Sequence, residues 1–294
     1  MTTGAAVVAE CDVRPVGPYR LPPAGRDGLL RRRDGVFWRL LHDSEGRPVV
    51  VRAWPTGGAV RFSAEAFDQD AAEWGIERMR FAFGVDHSLA EFHKAFKRDP
   101  LIGPMIRRAP WVRPLRRPEP FEALAWAITE QLIESERAED IQRRMVWRWG
   151  RRGEHGLRDA PTPDVLAGRA PAELCAVDLA PRRAQAMVEA SRAVARGRVK
   201  LTDHEAAWQR LLTIRNIGPW TIEKLAFHGQ GRDDMLPAGD LAYVKLVGRM
   251  LRMGRRATVE EVREFFAPYA PYEGLAGIYL LRGRRFVMPA GPPV

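Results

Sequence analysis

Leu211–Leu212–Thr213–Ile214–Arg215–Asn216–Ile217–Gly218–Pro219–Trp220–Thr221–Ile222–Glu223–Lys224–Leu225–Ala226 carries the strongest structural signal in the chain. Trp208, Leu211 and Leu212 share the apolar face of a helix that ends here, and a second helix begins after Gly218. Pro219 suits the first position of that second helix, where the amide has no intrahelical partner and proline's fixed φ is already helical. Asn216 is among the non-glycine residues that best tolerate a left-handed backbone. Gly218 has no Cβ to hold a ligand away. The result is a helix–hairpin–helix. Unpaired amides and the positive dipole end coincide at the start of the second helix, which makes a seat for one phosphate. Taken alone, an ordinary αα-hairpin has the same ingredients.

After His228 and a short loop comes Leu236–Pro237–Ala238–Gly239–Asp240–Leu241–Ala242–Tyr243–Val244–Lys245. Pro and Gly place Asp240 at the start of a new helix, with Leu241, Val244, Val247 and Leu251 expected to face the interior. An aspartate before a helix ordinarily serves as an N-cap. Here it follows a phosphate-gripping hairpin after one helix and one short loop. That combination resembles the helix–hairpin–helix–Gly/Pro…Asp (HhH-GPD) superfamily of DNA base-excision glycosylases, and within it the 3-methyladenine DNA glycosylase II type. The likeness is specific over 204–250 and extends more weakly over most of the chain.

Asp99–Pro100–Leu101–Ile102–Gly103–Pro104 and Pro120–Phe121–Glu122–Ala123–Leu124–Ala125–Trp126–Ala127–Ile128–Thr129–Glu130–Gln131–Leu132–Ile133 are similar to the stretch around the family's first core helix. The resemblance implies an intercalating wedge at Leu132, beside Gln131; with no family to compare, Leu132 could equally be the last core residue of helix 121–133. It implies DNA contacts at Gln131, Leu132, Asn216, Ile217, Gly218 and Thr221, a catalytic carboxylate at Asp240, and a base pocket bordered by Trp220 and Leu281. Trp220 stands where bifunctional relatives carry a Schiff-base lysine, so monofunctional chemistry is implied, and Lys224, one turn on, receives no catalytic role. The family hairpin often holds a monovalent cation, by position on the backbone carbonyls of Leu212, Ile214 and Ile217. No other cofactor is expected.

Three departures stand out. Asn216 replaces the usual hairpin Gly, Ile133–Glu134–Ser135–Glu136 adds acid near the expected DNA surface, and Leu281 occupies the place of a pocket Trp. A glycosylase for deaminated or oxidised bases, and a non-catalytic DNA-binding protein that kept the hairpin, therefore remain as alternatives.

The first 84 residues read differently. Gly35–His42, Pro48–Trp54 and Ala59–Ser63 are short runs bounded by turn residues, with Asp43–Ser44–Glu45–Gly46 between the first two, so a small antiparallel sheet domain is expected there. Arg31–Arg32–Arg33–Asp34–Gly35 reads as a charged turn. From about His87 onward helices dominate, with candidates at 89–96, 121–133, 136–149, 182–196, 204–213, 219–228, 240–252, 258–266 and 273–282, and breaks at Ala160–Pro163 and Ala170–Pro171. The expected fold is α+β and mostly α-helical, divided into 1–84 and 85–294, with the hairpin in 204–228 and the catalytic helix start in 236–252.

Composition bounds the rest. The 294 residues include 47 Lys and Arg against 37 Asp and Glu, a formal charge of +10, which favours a polyanionic partner. Doublets at Arg107–Arg108, Arg116–Arg117, Arg143–Arg144, Arg151–Arg152, Arg182–Arg183, Arg255–Arg256 and Arg284–Arg285 collectively fit a salt-sensitive phosphate grip, though any one of them reads as solvated surface, and the partner that the resemblance implies is double-stranded DNA carrying damaged bases. Two cysteines cannot form a Cys₄ zinc or iron–sulfur site, which separates the chain from endonuclease III-like members. The six histidines show no metal-ligand spacing. No apolar run has the length of a membrane helix. A cytoplasmic monomer with no membrane partner is expected.

Overall fold

The computed structural model describes residues 6–283, so the Arg284–Arg285 doublet lies outside the described residues. Five antiparallel strands form one sheet in the order β1-β5-β4-β3-β2: β1 Val7–Val13, β2 Arg31–Arg33, β3 Val36–His42, β4 Pro48–Thr56 and β5 Ala59–Ala66. Alternate residues of β4, Val49, Val51 and Ala53, face inward as the strand period requires. They meet helix α1, Gln69–Phe83, which buries Ala72, Ile76, Met79 and Phe83. Gly75 lets the helix settle on the sheet, since a Cβ there would sit 2.5 Å from Val49 Cγ1. Asp68 starts α1 by accepting the Ala71 amide at 2.8 Å.

Two features differ from expectation. Arg31–Arg33 is an edge strand paired with β3, and only Asp34 and Gly35, both left-handed, make the turn. An arginine-bearing edge strand blunts pairing with other chains, so charge here marks an edge as well as a loop. Strand β1, which no turn signal announced, pairs with β5 across the intervening hairpins.

The remaining helices are α2 Ala90–Phe96, α3 Gly103–Arg108, α4 Pro120–Glu130, α5 Ser135–Trp149, α6 Pro163–Ala167, α7 Pro171–Cys175, α8 Pro181–Ala195, α9 His204–Leu212, α10 Pro219–Gly229, α11 Leu241–Met250, α12 Val259–Phe266 and α13 Glu273–Ile278, followed by a π-helical turn at Tyr279–Gly283. The supposed breaks at Pro163 and Pro171 are the first positions of α6 and α7. Helix α4 is central and buries every residue from Phe121 to Thr129. It packs on α10, α5 and α8, while a second cluster gathers α3, α11, α12 and α13.

Buried ions join the sheet to the helices. Arg39 of β3 reaches Glu122 of α4 at 2.6 Å and Asp159 at 3.1 Å, and His42 meets Asp159 at 2.9 Å. Arg117 binds Asp27 at 2.6 Å, and the Trp126 indole donates to the same carboxylate at 3.1 Å. Burial pushes the Glu122 carboxyl upward, with Arg39 and Arg117 opposing. Arg116 and Arg183 are also spent internally, on Asp233 and the Thr129 carbonyl, so neither these two nor Arg117 belongs to a phosphate grip.

Candidate active site

Helix α9 ends at Leu212 and α10 starts at Pro219, with Gly218 extended at its N-cap. Asn216 takes φ +67°, the left-handed conformation expected of it. Within the turn the Ile217 amide donates to the Ile214 carbonyl at 3.1 Å, and Thr221 to the Gly218 carbonyl at 3.0 Å. Among the described residues the Gly218 and Trp220 amides have no acceptor, and Pro219 between them has no N–H. These two donors lie at the positive end of an eleven-residue helix.

The end of α4 is tied to this hairpin. Gln131 Nε2 donates to the Asn216 carbonyl at 2.8 Å and to Thr221 Oγ1 at 2.9 Å. Thr221 is buried and its hydroxyl is used in this link, so it braces the hairpin instead of presenting a side chain to a ligand. Ile217 is likewise buried. Helix α4 stops at Glu130, three residues earlier than its apolar pattern suggests. Leu132 follows in a left-handed conformation, φ +55°, and its side chain is fully exposed. Gln131 is anchored on one side and Ile133 packs into the core on the other, which pushes Leu132 outward. A leucine held there is strained by roughly 1 kcal/mol or more and gains nothing from burial. Its place as a final core residue is thereby removed.

Trp220 connects the hairpin to Asp240. A methyl group on the Gly239 Cα would lie 3.6 Å from Trp220 Cδ1, so the indole packs directly beside the residue preceding Asp240. The Trp220 indole N–H is buried and has no partner among the described residues. Asp240 is partly exposed and caps α11, its Oδ1 accepting the Ala242 amide at 2.9 Å, while Oδ2 has no partner among the described residues. The loop before it is held from behind: Glu223 of α10 pairs with Arg263 of α12 at 2.9 Å and lies against the Ala238 amide, and burial pushes its carboxyl up.

Leu281 is partly buried in the π-helical turn and packs on the second core cluster. Tyr243, on the helix that Asp240 starts, belongs to the same cluster. Burial raises the Tyr243 hydroxyl, the Asp240 charge adds to the rise and Arg282 opposes it. The interior face of α11 includes Tyr243, Leu246 and Val247, with Val244 packed against the same cluster, so the expectation holds at Val244 and Val247, whereas Leu241 and Leu251, expected inside, are about half exposed.

Lys224 does not face solvent. Its Nζ lies 2.7 Å from Glu130 Oε2 and 5.5 Å from the Trp220 ring centroid. Burial works to raise the Glu130 carboxyl, but Lys224, together with His228 and Arg117, holds the group below its usual range. Neither Glu130 nor Glu223 carried a sequence signal, because both lie on helical faces that read as ordinary amphipathic surface. Behind the hairpin, a cavity of about 470 Å³ is lined by Arg192, Arg196, Arg198, Arg210, Thr213 and Ile214, with Glu189 as its only acid. His42, His87, His93 and His228 are engaged with Asp159, Asp233, Tyr279 and the Leu115 carbonyl, and no metal-binding cluster occurs among the described residues.

No protein-family model matches the chain. It is 26% identical over 208 residues to a DNA-3-methyladenine glycosylase of Bacillus subtilis, covering 68% of this chain and 69% of that protein. It is 28% identical over 256 residues to the "Probable bifunctional transcriptional activator/DNA repair enzyme AlkA" of Mycobacterium tuberculosis, covering 83% of this chain and half of that one. The chain thus spans only about half the length of this second relative. In fold it is similar to the 3-methyladenine DNA-glycosylase from Archaeoglobus fulgidus, with a TM-score of 0.79 at 22% identity over 95% of this chain and 99% of that one. The hairpin, the exposed leucine and the helix-capping aspartate are joined in one arrangement, and in sequence and fold the chain is similar to DNA glycosylases of the helix–hairpin–helix superfamily.

Proposed function

We propose that this protein is a monofunctional DNA glycosylase that hydrolyses the N-glycosidic bond of alkylated purines, 3-methyladenine among them, in double-stranded DNA. It acts as a monomer and leaves an abasic site. The observation that carries this reading is Asp240, one carboxylate oxygen engaged in a helix cap and the other open, set beside Trp220 at the hairpin that links to the wedge position.

A base inside a duplex is out of reach, so the nucleotide must rotate out of the stack. Leu132 fills the gap and offsets part of the few kcal/mol lost to unstacking. The Gly218 and Trp220 amides hold a backbone phosphate. A monovalent cation on the carbonyls of Leu212, Ile214 and Ile217 would add positive charge beneath that phosphate; the Ile214 carbonyl already accepts one amide and keeps one lone pair for it. The flipped base lies against Trp220, whose ring face attracts the positive charge of an N-alkylated purine. As the C1′–N bond breaks, its electrons leave with the purine and neutralise that charge, so no strong acid is needed. Asp240 stabilises the cationic sugar and orients the water that adds to C1′, the surplus water proton passing to the carboxylate or to solvent.

Base release from duplexes that each carry one lesion tests this reading. Methylated purines should be released, and release only of deaminated or oxidised bases would transfer the assignment to those lesions. Binding without any release would make the protein a non-catalytic DNA binder.

Strand cleavage is a separate expectation. A lyase needs a free amine at the sugar carbon, and Lys224 is held by Glu130 instead. Product strands should stay intact until alkali is added, and borohydride should trap no protein–DNA adduct. Efficient trapping would make the enzyme bifunctional, and its loss in Lys224→Gln would identify the amine.

Leu132→Ala should slow release from duplex DNA about tenfold while sparing a lesion placed opposite an abasic gap, where unstacking costs less. Equal losses on the two substrates would remove the wedge role.

A further inference from the structure

A second surface lies at the other end of α5. This helix starts just after Leu132, and Trp147 is twelve residues beyond Ser135, about 18 Å along the axis. Trp147 is 69% exposed, and the Arg158 guanidinium lies over its ring at 4.2 Å. Arg158 is itself buried, 7% exposed, with a single hydrogen bond to the Gly150 carbonyl at 3.4 Å. Arg152 sits opposite it in a two-residue antiparallel bridge, and Arg31 comes in from β2. Burial lowers the Arg158 pKa, and the charges of Arg152 and Arg31 lower it further. None of these three arginines makes an ion pair among the described residues; Arg31 donates only to the Gly28 carbonyl, at 3.3 Å. Asp159 is turned inward to Arg39 and His42, and the one other acid nearby in the chain, Glu154, is exposed. Three cations thus converge beside a largely open indole with no anion to balance them. A bound phosphate would relieve this repulsion.

From these placements we infer that the surface binds single-stranded nucleic acid, with an unpaired base stacked on the open side of Trp147 and its neighbouring phosphates held by Arg31, Arg152 and Arg158. A duplex offers phosphates but no free base face, so the exposed ring selects the unpaired strand. The surface is separate from the hairpin seat and does not depend on the glycosylase reading.

Anisotropy of a labelled short oligo-dT, measured beside a duplex of equal length, tests the inference. The experiment uses Gly218→Glu protein, in which the hairpin seat is blocked. Trp147→Ala should weaken oligo-dT binding about tenfold, and Trp147→Phe should recover most of it. Arg152→Glu should weaken oligo-dT binding as well and reduce its salt dependence. Duplex affinity should not follow the Trp147 series. Unchanged oligo-dT affinity in Trp147→Ala overturns the inference, and so does an equal loss on both ligands, which would mean charge alone. Lesion release by Trp147→Ala in the otherwise native chain should match that of the native protein, and this reports on the glycosylase reading independently.

Discussion

Asp240→Asn should reduce base release by at least about a hundredfold, the scale on which removal of one preorganised electrostatic stabiliser acts. Melting temperature and affinity for abasic DNA should stay nearly unchanged. The capping geometry makes this substitution unusually clean. Oδ1 of Asp240 accepts the Ala242 amide at 2.9 Å, and an asparagine carbonyl can accept the same bond. Asp and Asn are near equals as N-caps, so the helix keeps its start and only the charge is lost. If Asp240 were merely a cap, Asp240→Asn would be silent and Asp240→Ala would cost about 1 kcal/mol of stability. If it stabilises a cationic sugar, Asp240→Asn loses the chemistry and keeps the fold. Single-turnover release rates beside thermal melts separate the two, and undiminished release would end the catalytic assignment.

What the sequence made legible was local. Pro219 at a helix start and Asn216 in a left-handed turn are satisfied within a few residues, so their chemistry can be read in place. Asp240 reads as a helix start in the same way, through its neighbours Pro237 and Gly239, while its catalytic role is what the resemblance implies. Partners distant in the chain were not visible. Glu130 and Lys224 lie on different helices and look like two solvated charges until α4 and α10 pack together. The Arg39–Glu122–Asp159 cluster joins three separate segments, and no local pattern marks any of its members. Among the arginine doublets, Arg116, Arg117 and Arg183 are internal struts, which adjacency in the sequence cannot reveal, and Arg255 pairs with Glu261. Periodicity marks α11 and puts Val244 and Val247 on its inner side, as they are, but it misplaces Leu241 and Leu251. That helix carries apolar residues on most sides, and Leu241, immediately after Asp240, stays outside while Tyr243 goes in. Leu132 was placed by resemblance; its left-handed backbone follows from the anchoring of Gln131 on Asn216 and Thr221.

Gly218→Glu should weaken binding to every duplex alike, by about a hundredfold at low salt, while leaving the protein folded. Gly218 is extended, φ −116° and ψ −179°, a conformation open to any residue, and a Cβ built there meets nothing within 4 Å. The fold therefore does not require glycine at this position, in contrast to Gly75 beneath the sheet, where Val49 leaves no room. A side chain at 218 would stand in open space at the N-cap of α10, beside the Gly218 and Trp220 amides. A glutamate there places an anion against the helix start, competing with the phosphate for the two donors and repelling it. Charge-assisted hydrogen bonds of this kind contribute about 1.5–3 kcal/mol each, so losing one or both accounts for the expected fall. Because a phosphate contact carries no sequence information, lesion and undamaged DNA should lose affinity equally, and the slope of log K against log salt should flatten by about one contact. Gly218→Ala separates bulk from charge: a methyl group meets no protein atom and carries no charge, so it should leave the fold intact and cost less affinity than glutamate. Unchanged affinity in a folded Gly218→Glu protein would mean that the hairpin only turns the chain.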